Sequence, residues 1–296
     1  MPSLAHQVLT RVIPVLRGSG EVVDAEELRR DVLARQGDPS SPPRWGLRGC
    51  TVTARTDQPF PVWDLLPPGP EPSRTVLYLH GGGFIGHVDP FQWWMAAGLA
   101  RATKARFVVP AYPLTPIHTW RDSHPPLLRL IEQLAVESPH GVVLMGDSAG
   151  GGLALALAQQ VARAPGPQPT GLVLISPWVD LTGDTPGTEQ ARAADPWLTL
   201  SKLRLYGGWW AGEDAVDRPE VSPLHGDYAG LPRTLVLCGT RDLLLPQVRA
   251  AVERLRAAEV PVTYVEKSGL LHVYPVLPVP EAKAARRTIA DFVVAL

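Results

Sequence analysis

The chain has only two cysteines in 296 residues, Cys50 and Cys238, and they are far apart. That spacing offers neither a disulfide framework nor a clustered metal site, so both are read as ordinary thiols. Charge of one sign is also missing: 28 basic residues stand against 29 acidic ones, for a formal net charge of -1. No field of one sign draws in nucleic acid or an anionic membrane surface, and neither is expected as a partner. No apolar run approaches the roughly 18 residues of a membrane span. The first 21 residues carry His6 and Arg11 among their apolar positions, with no continuous apolar core or small-residue cleavage site. A cytoplasmic protein is the expectation. A disordered composition is lacking too, since 45% of residues are hydrophobic and 19% charged.

What the sequence does have is rhythm. Apolar positions recur at helical spacing over residues 3–17 and 23–36, separated by Gly18-Ser19-Gly20. The cluster from Gly37 to Pro43 cannot continue a helix, because proline lacks the amide and clashes with the preceding turn. Residues 1–45 are therefore read as a helical attachment and 46–296 as the main domain. From about residue 50, short β-branched and leucine-rich runs alternate with longer helical patterns, as in a mainly parallel sheet covered on both faces. The runs expected as strands are Thr75 to Leu79, Phe107 to Pro110, Val142 to Met145, Leu172 to Ile175, Thr234 to Cys238 and Val262 to Val265. Between Thr182 and Leu231 no buried strand is evident, and an insertion at about 183–215, carrying Trp209-Trp210, reads as a cap. An α/β sheet of this kind puts its chemistry at the carboxyl ends of its strands.

One strand, Val142 to Met145, runs directly into Gly146-Asp147-Ser148-Ala149-Gly150 and then into a helical pattern. That is the G-x-S-x-G arrangement in its required strand–turn–helix context, and it makes Ser148 the candidate nucleophile. A serine hydroxyl needs a base to accept its proton, held in place by a third group. In the fold that uses this turn, acid and histidine follow the serine in chain order. Only His225 and His272 lie after Ser148. His272 follows the last strand and is the expected base. Asp242, four residues past the strand Thr234 to Cys238, is the favoured acid, with Asp180 as its competitor and Glu266 as a weaker third.

Acyl chemistry at a serine also needs amide donors aimed at the developing oxyanion. The run His80-Gly81-Gly82-Gly83-Phe84 after the strand Thr75 to Leu79 leaves backbone bare enough to approach a ligand. The amides of Gly82, Gly83 and Ala149 are the expected donors, with Gly81 shaping the loop. Phe84, Trp93, Trp94, Trp209 and Trp210 are candidates for an apolar pocket wall.

His80-Gly81-Gly82-Gly83 and Gly146-Asp147-Ser148-Ala149-Gly150-Gly151 together resemble the hormone-sensitive lipase family of α/β-hydrolases, the bacterial family IV esterases. Tyr112-Pro113-Leu114-Thr115-Pro116 and Ser176-Pro177-Trp178-Val179-Asp180-Leu181 are similar to further segments of that family. The resemblance implies an α/β-hydrolase fold, a triad of Ser148, Asp242 and His272, and a cap made from the N-terminal helices and the Thr182 to Leu231 region. It departs at Pro246, where many members carry a second aspartate, and at Pro113, where an arginine is common. The expected activity is hydrolysis of short to medium acyl esters through an acyl-enzyme, on a small neutral ester and without metal or organic cofactor. Lactones and other acyl substrates use the same machinery. A non-catalytic receptor on this scaffold is the rival, and the presence of His272 speaks against it. Similar enzymes often pair, which leaves room for a homodimer.

Overall fold

A computed structural model of the chain describes every residue except Met1, Gly18, Ser19, residues 38–40, residues 44–46 and Arg48. The middle of the proline cluster and the proposed division at 45/46 therefore lie outside the described residues. The described helices are α1 (Leu4–Arg17), α2 (Ala25–Gln36), α3 (Pro90–Thr103), α4 (Trp120–Glu137), α5 (Ala149–Arg163), α6 (Thr188–Ala194), α7 (Leu200–Ala211), α8 (Leu245–Ala257) and α9 (Pro280–Val294). The strands are β1 (Thr51–Arg55), β2 (Val62–Leu66), β3 (Thr75–Leu79), β4 (Arg106–Pro110), β5 (Val142–Asp147), β6 (Gly171–Ile175), β7 (Thr234–Arg241) and β8 (Val262–Leu271). Among the described residues no helix is long and apolar enough to cross a membrane.

The strands form one sheet in the order β1-β2-β4-β3-β5-β6-β7-β8. All neighbours from β4 to β8 run parallel, and β1 and β2 are antiparallel additions at one edge. Because alternate side chains point to opposite faces, the continuous apolar runs of the central strands feed two cores at once. Leu77, Leu144, Leu174 and Val236 pack on one face with α4, α5 and α8. Val76, Met145, Val173 and Leu235 pack on the other with α3 and α9. This is the α/β-hydrolase architecture expected from the sequence.

The two antiparallel strands β1 and β2 were not foreseen. β1 is mostly exposed and has no apolar alternation to announce it, and β2 follows Pro59 and Pro61, which read as loop. β8 also runs further than its apolar start suggests, to Leu271, with a register irregularity opposite Gly239 and Arg241. Its extension ends one residue before His272. The segment between β6 and β7 holds α6 and α7. Val22, between the two N-terminal helices, donates its amide to Ser201 Oγ on α7 at 3.2 Å. Gln36 at the end of α2 reaches the Ile85 carbonyl at 3.1 Å. On α1, His6 Nε2 accepts the amide of Leu271 at 3.2 Å, tying the helix to the end of β8.

Candidate active site

β3, β5, β7 and β8 end on the same edge of the sheet, and their following turns meet there. β5 delivers Ser148 at φ +53°, a conformation that L side chains rarely adopt. Such backbone costs about 1–3 kcal/mol and persists only where its surroundings determine it. Here the Ser148 amide donates to the Ile175 carbonyl at 2.9 Å, while the Ser148 carbonyl accepts the amides of Gly151, Gly152 and Trp178. The flanking glycines follow from space. A Cβ at Gly146 would lie 2.1 Å from the Gly150 carbonyl oxygen, and one at Gly150 would lie 2.1 Å from the Leu79 carbonyl oxygen. No other residue fits either position with this backbone.

His272 Nε2 stands 2.9 Å from Ser148 Oγ, and His272 Nδ1 stands 3.0 Å from Asp242 Oδ2. Asp242 is fully buried. Its other oxygen accepts the Leu244 amide at 2.9 Å, and the Cys238 thiol approaches Oδ2 at 3.5 Å. Burial and the neighbouring carboxylate push the Cys238 thiol well above its ordinary pKa, so it is a neutral donor there. Burial alone would favour neutral His272, but the Asp242 carboxylate, with Asp195 and Asp147 behind it, holds its pKa above the ordinary 6.5. The other acids are engaged elsewhere. Asp180 accepts from the backbone and hydroxyl of Thr182 and Thr185 in its own loop, with His225 Nε2 at 3.8 Å. Glu266 pairs with Arg249 and the Tyr264 hydroxyl.

The glycine loop after β3 is fastened by Asp147, the residue before the serine. Its buried carboxylate accepts the Tyr78 hydroxyl at 2.5 Å, the Gly81 amide at 3.0 Å and Gln92 Nε2 at 2.9 Å. Burial raises its pKa against those three donors, which favour the charged form. With the Gly81 amide taken, those of Gly82, Gly83 and Ala149 remain as the candidate oxyanion donors. Gly82 sits at φ +126° and Gly83 at φ +63°. His80 stacks on Tyr112 with ring centroids 4.4 Å apart. Burial lowers its pKa to about 4, so it packs as a neutral ring. The Tyr112 hydroxyl donates to the His80 carbonyl at 2.6 Å and fixes the start of the loop.

A cavity of about 320 Å³ opens beside Ser148. Trp197, Leu203 and Tyr206 of the α6–α7 segment and Phe91, Val276 and Leu277 of the main domain supply much of its apolar wall. None of Phe84, Trp93, Trp94, Trp209 and Trp210 is among the lining residues, which corrects the expectation for those five. Phe84 is stacked on Trp210 at 4.1 Å, and both are buried core. Trp93 is buried against Trp63 at 5.5 Å, Trp94 lies under the Arg286 guanidinium, and Trp209 packs beside Tyr206. Large aromatics bury readily, and composition cannot tell a core ring from a pocket ring. Trp197, Leu203 and Tyr206 were missed, as were the supporting roles of Asp147 and Gln92. Among the described residues no group of three or more His, Cys, Asp or Glu side chains is arranged to hold a metal ion.

Comparison with known proteins agrees with this geometry. The family described as alpha/beta hydrolase fold matches residues 76–276. The chain belongs to that family, on its hormone-sensitive lipase branch. It is 30% identical over 230 residues to an esterase of Acinetobacter venetianus, covering 76% of each chain. To an acetyl-hydrolase of Streptomyces hygroscopicus it is 33% identical over 220 residues, covering 71% of this chain and 73% of that one. Among solved structures, an esterase from the bacterial hormone-sensitive lipase family superposes with a TM-score of 0.84 at 25% identity, covering 100% of this chain and 99% of the other. The family match spans the glycine loop, the serine turn, the acid loop and His272.

Proposed function

We propose that this α/β-hydrolase is a serine carboxylesterase, with Ser148 as nucleophile, His272 as general base and Asp242 as the group that orients it. The observation that carries the reading is the unbroken line from Asp242 through His272 to Ser148, at 3.0 and 2.9 Å. In the first half-reaction the Ser148 proton passes to His272 Nε2 as Oγ bonds to the ester carbon. The carbonyl electron pair moves onto oxygen, where the amides of Gly82, Gly83 and Ala149 receive it. The tetrahedral centre then expels the alcohol, which takes its proton from His272. Water, activated by the same imidazole, repeats the sequence on the acyl-enzyme and releases the acid.

The substrate is a small ester with a short to medium acyl chain. A wall of mixed aromatic and aliphatic side chains around about 320 Å³ suits a ligand of that size, and the names of the esterase and acetyl-hydrolase relatives agree with it. The N-terminal helices and the α6–α7 segment act as the cap over this pocket, and the two free thiols suit a cytoplasmic enzyme. The test is a series of p-nitrophenyl esters from acetate to palmitate, run on the parent and on Ser148→Ala. Turnover that peaks at short chains in the parent and disappears in the variant is expected. Equal rates for both proteins would defeat the reading.

A further inference from the structure

Asp195 belongs to the turn between α6 and α7, where nothing in the triad motif calls for an acid. Its side chain nonetheless makes three backbone hydrogen bonds. Oδ1 accepts the amides of Trp197 at 2.7 Å and Leu198 at 3.0 Å, and Oδ2 accepts the amide of Leu243 at 2.7 Å. The first two close the cap turn on itself. The third crosses to the acid loop, one residue past Asp242. A second bond runs alongside it, from Arg241 Nε to the Ala194 carbonyl at 3.1 Å. The turn so closed sets Trp197 edge-on against the His272 ring, with centroids 5.4 Å apart and planes at 76°. Trp197 and Leu198 also line the cavity.

We propose that Asp195 is a positioning residue of the cap: it locks the acid loop beside Asp242 and seats Trp197 on the catalytic imidazole. The inference rests on the reading of Ser148, Asp242 and His272 as the triad. A carboxylate suits the task because one group with two oxygens can accept amides from both segments at once. An amide side chain would present a donor to one of those amides. Charge adds a second effect. The carboxylates facing His272 are Asp242, Asp195 and Asp147, and each favours its protonated form. Arg241 is the cation of the acid loop and is tied to the cap backbone. Burial and the neighbouring Asp242 in turn raise the pKa of Asp195 itself. Holding two carboxylates this close has an electrostatic cost, which a residue serving the turn alone would not need to bear.

The test compares Asp195→Asn and Asp195→Ser with the parent, with Glu189→Gln, an exposed acid of α6 paired to Arg192, as control and Ser148→Ala as reference. Asparagine keeps an acceptor for the turn but loses the charge and the Leu243 bond; serine loses the reach to Leu243 by a different route. For both, kcat should fall about tenfold, the scale of a small displacement in a catalytic group. KM should stay within about twofold, and the acid limb of the kcat/KM profile should move to lower pH as negative charge near His272 is removed. Glu189→Gln should match the parent. A rise in KM with unchanged kcat and an unmoved acid limb would make Asp195 a wall-shaping residue only and overturn the proposal, as would parent-like kinetics. Ser148→Ala separates the two levels: an active Ser148→Ala protein defeats the triad itself, whereas an inactive one beside parent-like Asp195 variants defeats only this inference.

Discussion

Ser148, Asp242 and His272 each follow directly on the last residue of a parallel strand: β5 in the middle of the sheet, β7 next to its edge and β8 at the edge. Trp197, Leu203 and Tyr206, which line the cavity with Ser148 and His272, come from the segment between β6 and β7. The first group is fixed by backbone: the Ser148 amide and carbonyl are both engaged, and Asp242 is wholly enclosed. The second is fixed by side chains, among them the Asp195 bond to Leu243, the Trp210 stack on Phe84 and the partly exposed ion pairs of Asp214 with Arg121 and Arg218. Exposed pairs of that kind contribute little individually. Chemistry is thus set from the strand ends and substrate fit from the segment between β6 and β7, so substitutions on the two sides should differ in kind as well as in size, except at Asp195, whose bond to Leu243 joins them.

The largest separation should come from Asp242→Asn. It leaves the shape of the buried loop nearly intact but no longer holds His272 in the productive tautomer, and kcat should fall roughly ten-thousand-fold with little change in KM. Steady-state kinetics on p-nitrophenyl acetate would check it. A loss confined to KM would erase the distinction between the two sides.

A second effect appears on titration. His272 must be neutral to accept the Ser148 proton, and its pKa is raised above 6.5. The acid limb of kcat/KM should therefore have its midpoint above 6.5, with activity lost about tenfold per pH unit below it. Stability carries the opposite sign. A raised folded-state pKa contributes stability that is fully present below the unfolded value and fades as pH rises through the folded one. A midpoint at or below 6.5 would contradict the electrostatic picture of the buried acid and its neighbours.

The smallest effect sharpens the cap side. Tyr206 lies over the glycine loop, close enough that a Cβ on Gly83 would meet its ring at 3.2 Å. Tyr206→Ala should lengthen the preferred acyl chain and change acetate turnover only a few-fold, since a pocket methylene is worth about 1–3 kcal/mol. Trp93→Ala should behave oppositely. Its ring is buried in the core against Trp63, so thermal unfolding should show a loss of about 3–5 kcal/mol with the chain-length profile unmoved.

This division also marks how far the residues could be read in advance. Ser148, His272 and the glycine loop announce themselves because their chemistry demands a local pattern: a strand, a tight turn that admits only glycine, and a helix start. The central strands are legible for a similar reason, since a strand buried on both faces must be a continuous apolar run, as in Val142 to Met145. β1 was invisible because its exposed edge needs no such run. The pocket residues were mistaken because no short-range rule distinguishes Trp93 in the core from Trp197 on the imidazole. Asp195 was equally silent, since its partners Trp197 and Leu198 are local but Leu243 is 48 positions away.

The central claim is that Ser148 is the activated nucleophile, and a fluorophosphonate tests it most directly because it is attacked by serines primed in this way. Incubation of the parent followed by peptide mass spectrometry should find one adduct per chain, on Ser148, formed in step with the loss of esterase activity and absent from the Ser148→Ala protein. Full inactivation with the adduct on another residue, or unimpaired ester hydrolysis with Ser148 fully labelled, would contradict the account.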